Sequence, residues 1–306
     1  MALTRYLHDH GTLVGQYLYQ RYPHTVPAVR AANRPLAAST SIHPADEHYP
    51  WAVAARAIGL RLRAEFAPLP VGSLVAARGA QMLAGLADAP YPIPVAATLL
   101  DELGTITHAY HDLPHGPPEA ERLDRACAVL ALLEDLARTR RLAESALTDA
   151  SLSRTLPSWL ALPAATLVAD IGMMAAGMVA QHGALFTQPG VLFPRLGPLR
   201  GAGGALDPLL VGDTLYLIKA TTQPAIMGIW LRELVGYSLL DLNDHYHIGR
   251  VGLLLPRQSA ALTWSLADLA QQLAGEAPAP LAELRREFAQ VRRVVGEPLT
   301  STSQAA

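Results

Sequence analysis

Cysteine and lysine each occur once in this 306-residue chain, as Cys127 and Lys219. A single cysteine allows no internal disulfide, which excludes a disulfide-stapled secreted scaffold. Excess charge of one sign is also missing, since 24 Lys and Arg face 26 Asp and Glu for a net −2. A strongly basic nucleic-acid wrapper is thereby excluded, and any contact with phosphates has to use a local patch. Charged residues make up only 16% of the chain, below the roughly 25% usual in soluble domains. The surface is therefore lightly charged, or part of it is covered by a partner. Against these shortages stands a 51% apolar content. High hydrophobicity and low net charge exclude disorder as the main state. The length suffices for one large domain or two modest ones.

The lone lysine is a pointer. Alanine and arginine are abundant, as expected of a genome rich in their codons, and under that pressure most surface lysines become arginine at little cost. A site that needs a compact ammonium on a flexible stem resists the exchange, because guanidinium is larger, planar and differently hydrated. No targeting signal is visible in Met1-Ala-Leu-Thr-Arg-Tyr-Leu-His8, so the expected location is cytoplasmic. The most apolar stretch, 160–179, contains Pro163 and Asp170. A charge in mid-membrane is costly, so this stretch reads as a buried helix and no membrane contact is expected.

Helical spacing dominates the first half of the chain. Residues 23–49, rich in Pro, Ser, Thr and Asn, read as a loop. A helix follows from Trp51 to about Phe66, and another, or two, from Glu119 to Leu147. After Gln188 the character changes. A Gly- and Pro-rich passage leads to Leu209-Leu-Val, the turn pair Gly212-Asp213, and Thr214-Leu-Tyr-Leu-Ile-Lys-Ala-Thr221, which read as a hairpin. A helix is expected from Gly228 to Leu240, strands at 250–257 and 259–265, a helix at 266–273 and a basic helix at 281–295. The resulting division is a mainly helical region (1–187), a mixed-sheet core (188–275), and a basic helix with a flexible tail (276–306).

The hairpin–helix–strand segment resembles the PD-(D/E)XK nuclease superfamily, in its RecB-like exonuclease branch. Gly204-Ala-Leu-Asp207 matches the Gly-x-x-Asp before the first strand. Lys219 matches the lysine ending the second strand, and Glu233-Leu-Val-Gly-Tyr237 stands where Gln-x-x-x-Tyr belongs. The likeness covers roughly residues 195–265, and Tyr49-Pro-Trp51 and Arg61-Leu-Arg63 echo bacterial proteins with this core. The resemblance implies an α+β fold, namely a helical N-terminal half followed by a restriction-endonuclease-like mixed sheet flanked by helices. It also implies Mg²⁺ or Mn²⁺ as cofactor, held by Asp207 and Glu233, with Lys219 and Tyr237 completing the site. Such a metal lowers the pKa of a bound water and neutralises charge on the phosphate. DNA is the implied partner, its backbone gripped by Arg56, Arg61, Arg63, Arg195 and Arg200.

The chain departs from this pattern where the chemistry is most demanding. The acid two residues before the lysine is Leu217, which cannot ligate a metal. Asp207 matches only after a one-residue slip, which would turn its side chain to the other face of a strand. Glu233 in place of glutamine could compensate by supplying the acid from the helix. The preferred reading is a DNA-associated nuclease-like protein with an impaired or rewired site. The alternatives are a non-catalytic interaction subunit binding a protein partner or a second copy, with no cofactor, and an active Mg²⁺-dependent phosphodiesterase. A helical scaffold with a coincidental likeness is a further rival, to be recognised by a helix in place of the 205–219 hairpin. His108-x-x-His111-Asp112 reads as a solvated loop, Asp244-His245-Tyr246-His247 as a polar turn, and Cys127 as inert core.

Overall fold

The structure is a computed structural model that describes residues 3, 7, 9, 11–44, 49–84, 93–114, 116–141, 145–148, 155–196, 208–275 and 279–296. Two of the expected site residues, Asp207 and Arg200, and the expected tail from Thr300 lie outside these residues. The helices are α1 (Leu13–Arg21), α2 (Thr25–Leu36), α3 (Trp51–Ala64), α4 (Val75–Ala84), α5 (Ile93–Asp112), α6 (Pro117–Thr139), α7 (Leu156–Ala161) and α8 (Ala165–Phe186). Three strands follow, β1 (Gly190–Val191), β2 (Leu209–Val211) and β3 (Thr214–Ile218), then α9 (Gly228–Leu239), β4 (Arg250–Leu255), β5 (Ala260–Ser265), α10 (Leu266–Ala274) and α11 (Leu281–Gly296).

The five strands form one mixed sheet in chain order. Gly212, at φ +58°, supplies the left-handed residue that turns β2 into β3. β3 and β4 run parallel, joined by α9, and every other neighbouring pair is antiparallel. Alternation along the strands divides the interior into two cores. Leu209, Val211, Tyr216 and Leu254 face a core built with α3, α4, α6 and α8. Leu210, Leu215, Leu217, Val251 and Leu253 face the other, built with α1, α2, α9, α10 and α11. A sheet apolar on both faces has to be covered on both faces, and the result is a three-layer α/β/α stack. This is the expected mixed-sheet core flanked by helices, and the hairpin, not a helix, occupies 209–218.

The layers do not follow chain order. The first helices, α1 and α2, lie with α9–α11, on the side of the sheet away from α3–α8. Arg232 of α9 fastens them, donating from Nε to the Tyr22 carbonyl at 2.9 Å and stacking 4.2 Å from the Tyr19 ring. The basic helix α11 is likewise docked, with Leu284 and Phe288 buried and Arg285 bound to Asp244 at 2.7 Å.

Two expectations are corrected. Residues 25–36, read as loop, are helix α2. Pro27 lies in its first turn, where no intrahelical N–H is needed; Pro35 lies one residue before the helix ends, where it forgoes only the hydrogen bond to the Ala31 carbonyl. Thr25, Ala28, Ala32 and Leu36 form the buried stripe. His108, His111 and Asp112 belong to the C-terminal turns of α5, and the His111 ring meets the Ala64 carbonyl.

Candidate functional site

In open α/β sheets, ligands bind beyond the carboxyl ends of parallel strands. Here β3 and β4 are the parallel pair, so Lys219–Thr221 and Pro256–Gln258 line that edge. Strand alternation places Leu217 and Lys219 on the same face, toward α9. From α9, Glu233 reaches back and accepts from Lys219 Nζ at 2.6 Å. Trp230, one turn earlier on α9, sets its ring 5.8 Å from the same ammonium. Glu233 is buried while the Lys219 side chain is 19% exposed, so the pair lies at the boundary between core and solvent. Tyr237, one turn beyond Glu233, is buried in the α9-side core. The structure thus brings together Lys219 and Glu233, with Tyr237 on the same helix.

Leu217 is 4% exposed and packed into the same core. Fully burying a leucine stabilises the fold by about 1.5–3 kcal/mol. A carboxylate at 217 would forfeit that gain and add a desolvation cost. The strand position that would hold an acid is used for packing. Among the described residues, no group of three or more His, Cys, Asp or Glu is placed to hold a metal. The donor set they offer beside Lys219 is one carboxylate, already bound to an ammonium, and a leucine. That set does not fit Mg²⁺, which takes oxygen ligands in near-octahedral array.

The residues after β4 build a second arrangement at the same edge. Arg257 is completely buried and holds Asp170 of α8 through two hydrogen bonds of 2.9 and 2.8 Å. The Tyr49 hydroxyl donates to Asp170 as well. The guanidinium lies 5.5 Å from the Tyr49 ring and 5.3 Å from the Trp51 ring. Arg257 also donates to the Ile42 carbonyl at 3.0 Å, while Ile42 N–H donates to the Arg257 carbonyl at 2.7 Å. Burial and the hydrogen bond to Asp170 push the Tyr49 hydroxyl pKa well above its ordinary value. Next along, Gln258 Nε2 donates to the Thr221 carbonyl at 2.9 Å and to Ser41 Oγ at 3.0 Å, which ties the β3 end to the 38–44 loop. Asp170, Arg257 and Gln258 went unpredicted as site residues. The signal was a lone aspartate in the most apolar stretch of the chain, because a buried carboxylate needs a partner.

Three of the five arginines expected to grip phosphate, Arg56, Arg61 and Arg63, have partners within the protein. Arg61 is buried with Asp124 at 2.6 Å and with Glu65 and Tyr110. Burial disfavours its charge, yet Glu65 and Asp124 outweigh that and raise its pKa. Burial in turn raises the Asp124 carboxyl, with Arg61 opposing. Arg63 is 1% exposed, donates to the Leu192 and Gly59 carbonyls, and stacks on Phe193. Arg61 is thus held among α3, α5 and α6, and Arg63 between α3 and the segment after β1, where burial keeps both from a phosphate. Arg56 is paired with Asp135 at 2.7 Å. Arg195 is exposed, its backbone N–H donating to the Tyr246 hydroxyl at 2.7 Å. No protein-family model, curated protein or solved structure matches this chain. Among the described residues no helix is long and apolar enough to cross a membrane.

Proposed function

We propose that this chain is a nuclease-like protein that associates with DNA but does not cut it. One observation carries the reading: the ammonium of Lys219 is bound to Glu233 at the end of β3, while Leu217 is buried where the motif requires an acid. In a cutting enzyme that lysine would position a water or stabilise charge on the phosphate. Here its charge is spent on an internal carboxylate. The hairpin, the crossover helix α9 and the parallel strand β4 support the likeness on which the reading rests.

A rewired, active site is the second reading. It is favoured by the arrival of Glu233 from the helix at the lysine, and it needs Asp207 to complete a metal site with Mg²⁺ or Mn²⁺. The burial of Arg61 and Arg63 favours a third variant, an interaction subunit whose partner is a protein. One experiment separates them: incubation with end-labelled single- and double-stranded DNA in Mg²⁺, Mn²⁺ or EDTA, with a Lys219→Ala preparation in parallel. DNA retention without cleavage is the expected result. Metal-dependent cleavage lost in the variant overturns it in favour of the rewired site. Neither retention nor cleavage moves the reading to the interaction subunit.

A further inference from the structure

The two edges of the sheet are treated differently by the sequence. β1 is two residues long, and very short edge strands are one way in which proteins blunt a free edge. β5 has six residues, Ala-Ala-Leu-Thr-Trp-Ser, with no charge, no proline and no bulge in its register with β4. Among the described residues, neither charge, proline nor bulge blunts this edge. Its hydrogen-bonding pattern follows from two observations. Arg250 is paired with Ser265, and Leu266 N–H donates to the Gly249 carbonyl at 3.0 Å. The hydrogen-bonded pairs are therefore Val251–Trp264, Leu253–Leu262 and Leu255–Ala260. The N–H and C=O groups of Ala261 and Thr263 consequently point away from β4, and among the described residues no backbone group takes them.

A second feature adjoins that edge. α8 carries a single Asp, Glu, Lys or Arg in 22 residues, and this one, Asp170, is buried. Its solvent side presents Ala169, Met173, Ala176, Val179 and Ala180, with Met173 51% exposed. α8 meets the start of β5 at Ser259, whose carbonyl lies 3.0 Å from His182 Nε2. A Cβ on Gly177 would come within 2.3 Å of Ser259 Oγ. Strand edge and helix face are thus continuous. Among the described residues, Arg250 of β4 stands at this edge and donates to Thr263 Oγ1 at 3.2 Å, in the middle of the strand.

We infer that the β5 edge and the outer face of α8 are the interface of a two-fold homodimer, in which β5 pairs antiparallel with β5 of a second copy. The unpaired groups select a strand as occupant, because only a strand satisfies alternate N–H and C=O groups along an edge. β5 itself and the exposed face of α8 carry no charge, which selects a second copy, because a two-fold sets each patch against its own equal and a charged patch would repel itself; Arg250 of β4, held on Thr263 Oγ1, is the cation beside the axis. Ala261 then exchanges two hydrogen bonds with Thr263 of the second copy, Thr263 exchanges two with its Ala261, and the axis passes between the two Leu262 residues. That axis is perpendicular to the sheet, so both α8 helices fall on one face of a ten-stranded sheet. α8 is about 33 Å long and about 10 Å wide, and β5 adds about 20 Å of edge. Each copy thus offers roughly 500 Å², and the pair reaches the roughly 1,000 Å² expected of a specific interface.

The test is sedimentation equilibrium of the full chain across micromolar concentrations, beside two variants. The expected wild-type mass is twice 32.7 kDa. Thr263→Pro removes an N–H that points away from β4, and Met173→Glu places a carboxylate on the helix face. Met173→Glu buries two carboxylates per dimer and is expected to weaken association by at least roughly a hundredfold. If Thr263→Pro fails to fold by far-UV circular dichroism, Met173→Glu alone carries the test, because its side chain is exposed in the protomer. A wild-type mass of one protomer at every concentration overturns the inference, and so does a dimer that Met173→Glu leaves unchanged. Neither result bears on DNA cleavage, so the interface stands or falls apart from the nuclease-like reading.

Discussion

Asp170→Ala is the sharpest test of how the helical layer is joined to the sheet. The substitution leaves Arg257 in place, 0% exposed, without the carboxylate that holds it by two hydrogen bonds. Removing one partner of a buried ion pair typically costs about 3–5 kcal/mol, most of it the penalty of an uncompensated buried charge. Native proteins are stable by about 5–15 kcal/mol in all, so the loss is a large share of the total. Combining Asp170→Ala with Arg257→Met removes both charges and should restore more than half of the loss, because replacing a buried pair by apolar groups is often neutral. Urea unfolding measures both, followed by far-UV circular dichroism and by tryptophan fluorescence, for which Trp51, 5.3 Å from the guanidinium, is a local reporter. Coincident transitions are required before free energies are extracted. A single-variant loss below about 1 kcal/mol would refute the argument, since no buried charge could then have been left unpaired. So would a double variant whose loss equals the sum of the two singles.

Three further outcomes are expected. The Cys127 thiol is wholly buried and burial pushes its pKa up, so a thiol reagent should label the native protein only as fast as it unfolds, and labelling within the mixing time would count against the packing. Burial pushes Tyr22 up to about 12 from 10.0, so the folded state keeps a proton that the unfolded state loses; that stability is full below pH 10 and is lost as pH rises toward 12, up to about 3 kcal/mol, visible as a falling urea midpoint. Gly79→Ala should lower the melting temperature, because its Cβ would lie 1.9 Å from the Leu133 carbonyl oxygen and α4 and α6 would have to separate. Overpacking of this kind costs about 1–3 kcal/mol, and a rise in melting temperature would show that helix propensity outweighs the contact.

Local signals made the second half of the fold legible. Gly212-Asp213 between two apolar runs marked the β2–β3 turn, and the period of three to four from Ile229 to Leu239 marked α9. The first half was read less well where two effects competed. Proline argued for a loop at 23–49, but Pro27 falls in the first turn of α2, where the rule against proline does not apply, and Pro35 one residue before its end, where a single intrahelical hydrogen bond is forgone. β1, two residues long, has no period to detect. The packing of α1 and α2 against α9–α11 is long-range and leaves no local trace. The Lys219–Glu233 pair was legible, because two elements flanking one turn bring their charges together. The Asp170–Arg257 pair was not, because 87 residues separate its partners.

Those two pairs also bear on the electrostatics of the site and on the proposed reading. A divalent cation is drawn to an excess of carboxylate oxygens. At the carboxyl ends of β3 and β4, the described acids are Glu233 and Asp170, and each is answered by a cation, Lys219 and Arg257. Little negative potential is left over to concentrate Mg²⁺. Arg257 holds the α8 layer to the sheet through Asp170. Any excess of acid must therefore come from Asp207 or from freeing Glu233. Freeing Glu233 would expose a buried carboxylate beside Trp230 and Tyr237 and strip Lys219 of its partner. On the proposed reading, Lys219 is a structural tie to Glu233, where a nuclease would keep its lysine available for the substrate.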